Sequence, residues 1–325
     1  MRGNILYTVI PCYNEEEALP ETARRLGEKY DSLIASGVIS EKSRIAFVND
    51  GSKDNTWELI CALHQKNAIF TGINLSRNRG HQNALLGGLL TVRGRADMVI
   101  SMDADLQDDI NAMDEMIAKY ADGCDVVYGV RSSRKQDSFF KRFTAEAFYR
   151  LMNRLGANTV FNHADYRLLS RRALDGLAEF KEVNLFLRGI VPMIGYRSDT
   201  VLYERGKRLA GESKYPFKKM LAFAFEGITS LSTKPIRMIT ALGFLIFFVS
   251  IVMLIIFIVQ FFMGLTVPGW ASVIVSLWAI GGLLMLAVGV VGEYIGKIYL
   301  ETKARPRFLI AEFLETEADK EEQDV

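Results

Sequence analysis

"ADMVISMDADLQDD", residues 96–109, decides how this chain is read: an apolar run suited to a buried strand passes without a break into four aspartates. Carboxylates that close repel one another unless a cation, a hydrogen-bond network or open solvent relieves them. Asp103 and Asp105 stand at i and i+2, so in extended chain both side chains point to one side, while a turn after Met102 can also converge them. Oxygen donors without a neighbouring cysteine or histidine favour Mg2+ or Mn2+ over zinc, and Mg2+ takes few protein carboxylates together with phosphate oxygens. The competing reading is a solvated helix start, in which the aspartates cap "LQDDINAMDEMIAKY".

Upstream, "NILYTVIP" (4–11), "SRIAFVND" (43–50) and "AIFTGINLS" (68–76) read as further strands. They alternate with the helical stretches "EEEALPETARRLGEKYDSLIAS" (15–36), "WELICALHQKN" (57–67) and "HQNALLGGLLTV" (81–92). Strands alternating with helices imply an α/β fold with a mostly parallel sheet, whose ligands bind beyond the carboxyl ends of the strands. The polar clusters "PCYNEE", "NDGSKD", "SRNRG" and "DADLQDD" all fall at those ends. Taken alone, "NDGS" also reads as an Asx-type turn.

The solvent changes near Pro235. Residues 238–263 carry no charge, and about 26 residues at ~1.5 Å rise each span about 39 Å, enough for a hydrocarbon core. A second uncharged run, 270–291, spans about 33 Å by the same rise, with the short turn "GLTVPG" between them. The two read as transmembrane helices, about 238–263 and 270–292, after a juxtamembrane amphipathic segment at 213–235 that could equally be a buried helix of the preceding domain. Lys218, Lys219, Lys234 and Arg237 before the pair, and Lys297, Lys303, Arg305 and Arg307 after it, place both flanks in the cytoplasm by the positive-inside bias. The expected organisation is a cytoplasmic catalytic domain over 1–212, the helix pair within 236–296 and a cytoplasmic tail from 297. Its end, "EFLETEADKEEQDV", reads as acidic and frayed. Gly292 and Gly296 form one G-x-x-x-G, a packing face that also suits a homo-oligomer.

Mean hydropathy of +0.12 is high for a purely soluble chain, and 39 Lys and Arg against 38 Asp and Glu give no global basic field for nucleic acid. Cys12, Cys61 and Cys124 show no C-x-x-C pairing, which fits a reducing compartment. His64, His81 and His163 lack the spacing of a metal pair and read as core or surface residues.

"TVIPCYNEEEALP", "FVNDGSKDNT", "LSRNRGHQNALLGGL" and "SMDADLQDD", in this order, resemble the GT-A-fold family 2 glycosyltransferases. With "DYRLLSRRAL", "ERGKRLAGESKYPFKKM" and "GEYIGKIYLETKARPRF" the resemblance narrows to the polyisoprenyl-phosphate sugar transferases, the group of dolichol-phosphate mannose synthase and the bactoprenol glucosyltransferases, from about Tyr7 to Phe308. It implies that Pro11, Tyr13, Glu15 and Asp50 hold the nucleoside of a nucleoside diphosphate sugar, and that Asp103 and Asp105, aided by Gln107, hold the metal on its phosphates. Arg205 and Lys214, on a loop, would close over the diphosphate. Arg131, Lys141, Arg142 and Arg167 would receive the phosphate of a polyisoprenyl acceptor. Asp165 aligns with the family's candidate catalytic aspartate, there usually in G-D-F-R where this chain has Ala164 and Tyr166; it would orient the acceptor or take its residual proton, or form a structural pair with Arg167. Asn49 stands where many relatives have aspartate.

The implied reaction is inverting transfer, from UDP-glucose or UDP-N-acetylglucosamine, to undecaprenyl phosphate at the cytoplasmic face of a bacterial plasma membrane. The product would serve as a sugar donor for envelope polysaccharide. A phosphate monoester has its second pKa near 6, so the attacking oxygen is already largely ionised at neutral pH and a strong base is not obligatory. Rival readings are a polysaccharide synthase of the same fold, which lacks support because no Q-x-x-R-W is present, and a membrane scaffold that binds the sugar nucleotide without turnover. A dinucleotide-dependent oxidoreductase is disfavoured because "PCYNEE", not G-x-G-x-x-G, follows the first strand.

Overall fold

A computed structural model describes residues 3–132, 163–204, 206, 234–263 and 269–315. The chain divides into two compact units, one of Met1–Tyr149, Asn158–Pro216 and Arg305–Val325, the other of Arg150–Ala157 and Phe217–Ala304.

The first unit is built on strands β1 (Leu6–Cys12) and β2 (Arg44–Asn49), buried at every residue because both faces of the sheet are covered. On one face, helix α1 (Leu19–Ala35) buries Leu19, Ala23, Leu26, Tyr30 and Leu33, a stripe at three- and four-residue spacing, against Ile10, Phe47 and Ile100. On the other, α3 (His81–Val92) packs on Val9, Val48 and Val99. Gly88 permits that approach: a Cβ there would lie 2.5 Å from Val9 Cγ1 and 2.6 Å from Val48 Cγ2, both on stiff β-branched side chains. Gly88→Ala is therefore expected to cost about 1–3 kcal/mol of stability by overpacking, read as a lowered melting temperature.

Helix α2 (Thr56–Lys66) leads to β3 (Phe70–Leu75), and α3 to β4 (Met98–Ser101). After α4 (Ala112–Ala121) come β5 (Val126–Arg131) and β6 (His163–Ser170), then short helices α5 (Arg171–Ala178) and α6 (Leu187–Met193), and β7 (Ser198–Tyr203). With a last strand, β8 (Ile310–Leu314), the sheet order is β7-β5-β6-β4-β1-β2-β3-β8. Its centre, β4-β1-β2-β3, is parallel throughout; β6 runs antiparallel to both β4 and β5. The strand order reverses between β1 and β4, where a doubly wound sheet opens its ligand crevice.

The strand β8 (Ile310–Leu314) corrects the expectation of a tail frayed from Glu312 onward. It pairs antiparallel with β3, and Thr71 Oγ1 donates to the Leu314 carbonyl. Arg95 bonds Glu315 and lies 4.8 Å from the Phe313 ring centroid, while Phe308 packs against Gly87. The acidic composition hid a short segment, with Phe313 and Leu314, that closes an otherwise open sheet edge. Deleting residues 305–325 should expose that edge and Phe308 and Phe313, costing roughly 3 kcal/mol or more from the lost aromatic burial. An unchanged melting temperature in the truncated protein would contradict this.

The second unit contains α7 (Lys234–Phe262) and α8 (Trp270–Lys303). Both are long and apolar enough to cross a membrane, and neither apolar window is buried in protein. Phe248, Leu245, Trp278 and Leu284 are exposed. Helix α8 continues to Lys303, past the end near 292 expected from the uncharged run, because helical periodicity persists after the first charges. Most of the expected juxtamembrane segment, 213–233, lies outside the described residues.

Candidate active site

From Met102 to Leu106 the chain past β4 keeps a two-residue alternation: Met102, Ala104 and Leu106 are buried, while Asp103, Asp105 and Gln107 are half-buried between them. Asp103 and Asp105 therefore share one side. Thr22 Oγ1 of α1 fixes the stretch by donating to the Ala104 carbonyl at 2.8 Å. The aspartates are not helix caps, since α4 begins only at Ala112 and its first-turn acids are Asp114 and Glu115.

Antiparallel pairing brings β6 alongside, with Ser101 opposite Arg167, and Ser101 Oγ donates to the Asp165 carbonyl at 2.6 Å. Asp165 thereby reaches the aspartate cluster from far along the chain. Its carboxylate accepts from Arg188 Nη2 at 2.9 Å and Nε at 3.3 Å, and from Arg167 Nη2. Burial alone would raise Asp165, but Arg188 and then Arg167 outweigh it and hold the carboxyl well below the usual carboxylate range. His81, the first residue of α3, stands between the two acids, its Nε2 3.6 Å from Asp103 Oδ1 and 3.8 Å from Asp165 Oδ2. It is thus neither the core nor the bland surface residue that its isolation in the sequence implied. Burial raises the Asp103 carboxyl, His81 lowers it, and Asp165 and Asp105 raise it further.

Beside this cluster, buried Asp108 accepts from the Tyr203 hydroxyl, and Arg131 Nε donates to the same hydroxyl at 3.4 Å. Burial first, then the charge of Asp103, push Asp108 up to about 6. Tyr166 accounts for its departure from the usual phenylalanine: its hydroxyl donates to the Asp109 carbonyl at 3.0 Å, and its ring meets Tyr203 edge-on at 5.4 Å.

The nucleoside residues are placed unequally. Tyr13 is 42% exposed and Glu15 half-buried at the end of β1, whereas Pro11 is buried within the strand opposite Val48. Asp50 is only 2% exposed, and its two oxygens accept the N–H groups of Arg79 at 2.6 Å and Gly80 at 2.9 Å. It holds the turn that delivers His81. Asn49 donates to Asn74 Oδ1 at 2.9 Å, a bond an aspartate there could not make, and accepts from the Ser52 N–H. Lys141, Arg142, Arg205 and Lys214 lie outside the described residues, though Gly206 N–H donates to the Gln107 carbonyl at 2.8 Å.

Among the described residues no three His, Cys, Asp or Glu side chains form a complete metal cage. Two half-buried carboxylates on one side, in a field of like charge, fit a hard divalent ion whose remaining ligands are phosphate oxygens and water. His81, Asp108, Arg188 and Tyr203 escaped the reading from sequence. Only Arg188 left a local signal, a single cation in the apolar run "LFLRGIVPMIG".

A sheet of this order, with paired aspartates at its switch point and guanidiniums across from them, defines a glycosyltransferase of the GT-A type. Residues 7–177 match the model of Glycosyl transferase family 2. An uncharacterized glycosyltransferase, YkoT of Bacillus subtilis strain 168, is 54% identical over 94% of this chain and 91% of its own length. The bactoprenol glucosyl transferase of Shigella phage SfX is 40% identical over 93% of this chain and 97% of its own. The chain belongs to glycosyl transferase family 2.

Proposed function

We propose that the protein moves a sugar from a nucleoside diphosphate sugar to a polyprenyl phosphate, with inversion, at the cytoplasmic face of the membrane. The observation that carries this reading is the juxtaposition of Asp103 and Asp105 with the guanidiniums around Asp165, in a chain with two apolar helices long enough to cross a bilayer. The relatives named as bactoprenol glucosyl transferases support the lipid acceptor and make glucose from UDP-glucose the first donor to try, N-acetylglucosamine the second. The pairing of β8 with β3 supports an even number of crossings, because strands before and after the helix pair join one sheet and so lie on one side of the membrane. Lys234, Arg237, Lys297, Lys303, Arg305 and Arg307 favour the cytoplasm as that side.

Tyr13 and Glu15 flank the nucleoside, and Asp50 acts through the turn it holds. Asp103 and Asp105, with Gln107 beside them, would hold Mg2+ or Mn2+, which when bound offsets negative charge on the leaving diphosphate. The lipid phosphate arrives already ionised, so the site needs fixed cations more than a base. Asp165, kept anionic by its two arginines, is a poor proton acceptor and instead orients them. One phosphate oxygen of the lipid forms a bond to the anomeric carbon as the bond from that carbon to the diphosphate breaks. No covalent sugar on the enzyme arises.

The test is a donor screen with purified protein in vesicles containing undecaprenyl phosphate and Mg2+ or Mn2+, with mass measurement of the lipid. A sugar phosphate lipid formed from one donor supports the reading. Sugar-nucleotide binding with no lipid product from any donor rejects it in favour of a scaffold.

A further inference from the structure

Arg188 differs from the other arginines of the cluster in its surroundings. The loops assigned to the nucleoside follow β1 and β2, on one side of β4, while Asp165, Arg167 and Arg131 belong to β6 and β5 on the other. Leu187 N–H donates to Gln82 Oε1 at 2.9 Å, which sets Arg188 beside the start of α3 and His81. Within the cluster the two arginines differ in kind: Arg167 is 1% exposed and pairs with Asp165, whereas Arg188 keeps 33% of its side chain exposed. Arg188 turns its Nε and Nη2 edge to Asp165, and a guanidinium has a second edge suited to a phosphate. Arg131, on β5, also feels the charge of Arg188, after burial and its contacts with Tyr203 and Asp108.

We propose that Arg188, held in place by Asp165, binds the phosphate of the lipid acceptor together with Arg131. This rests on the polyprenyl phosphate reading above. Arg188 is then a substrate-binding residue, and Arg167 and Asp165 are positioning residues behind it.

The experiment compares wild type, Arg188→Ala and Arg188→Lys, as the full chain in vesicles of graded undecaprenyl phosphate content, with UDP-glucose as donor or the donor that the screen selects. Losing a charged hydrogen-bond donor should raise the apparent KM for the lipid phosphate by ~10–100-fold in Arg188→Ala. Affinity for the free nucleoside diphosphate in the presence of Mn2+, read by calorimetry, should stay within about two-fold of wild type, a purely structural role being the one that would move both. Arg188→Lys should recover part of the loss, since a point charge replaces the fork, and it carries the comparison if the alanine variant does not fold. An unchanged lipid KM in whichever variant folds overturns the assignment. So does a loss confined to donor affinity, which would put Arg188 on the diphosphate. Wild-type protein that forms no lipid-linked sugar overturns the underlying reading as well, and so separates the two failures.

Discussion

Replacing Asp103 and Asp105 together by asparagine is expected to lower transfer by roughly 10^3-fold or more, in the range seen when a preorganised charge stabiliser is removed from a transition state. Asparagine keeps the shape and part of the hydrogen bonding but cannot neutralise a divalent ion. The reaction would then have to expel a diphosphate toward uncompensated negative charge. The fold should not suffer. Asp103 is half-buried beside Asp105 and Asp165, so removing two negative charges relieves repulsion, and the melting temperature without metal should be unchanged or higher. The measurement is turnover against Mn2+ concentration alongside a thermal melt. Transfer within ten-fold of wild type, still dependent on the metal, would place the ion elsewhere.

The second large effect is on stability. Asp165→Ala leaves Arg167, 1% exposed, without its carboxylate, and removing one partner of a buried ion pair costs about 3–5 kcal/mol. Asp165→Asn should lose less stability but should also impair transfer, because Arg188 is no longer held by charge; transfer at the wild-type rate would end any role for Asp165. The pH dependence has a definite sign. The Asp165 carboxyl is lowered in the folded state, so its stabilisation is complete above the unfolded value of about 3.9 and is lost as pH falls toward the folded value. The melting-temperature gap between wild type and Asp165→Ala should be widest near neutrality and narrow below about pH 4. A gap independent of pH across that range would mean that the ion pair is not its source.

The parts of the site that could be read from sequence are those fixed by neighbours in the chain. Asp103 and Asp105 sit together because they are two residues apart in the turn that follows β4, with Met102, Ala104 and Leu106 buried around them, and Tyr13 and Glu15 reach the sheet's end because they follow an apolar run. Asp50 was legible as a residue at that end, but its work was not. The carboxylate binds backbone N–H groups of Arg79 and Gly80, and nothing local to "NDGS" announces partners so far along the chain. Asp165 shows the same limit: the resemblance left it to orient the acceptor, take its residual proton or pair with Arg167, and nothing in its local sequence announces Arg188, the second guanidinium on its carboxylate.

The class of fold, the polar clusters at the carboxyl ends of the strands, the two apolar helices and the paired aspartates are all written in short-range periodicity, composition or spacing. The antiparallel place of β6 beside β4, which brings Asp165 to Asp103, the joining of Arg188 and His81 to that cluster, and the pairing of β8 with β3 emerge from contacts between distant parts of the chain. Strand pairing joins backbone groups across any length of chain, and its energy depends on which edge is open and not on which residues are adjacent. Local pattern therefore carries no record of it.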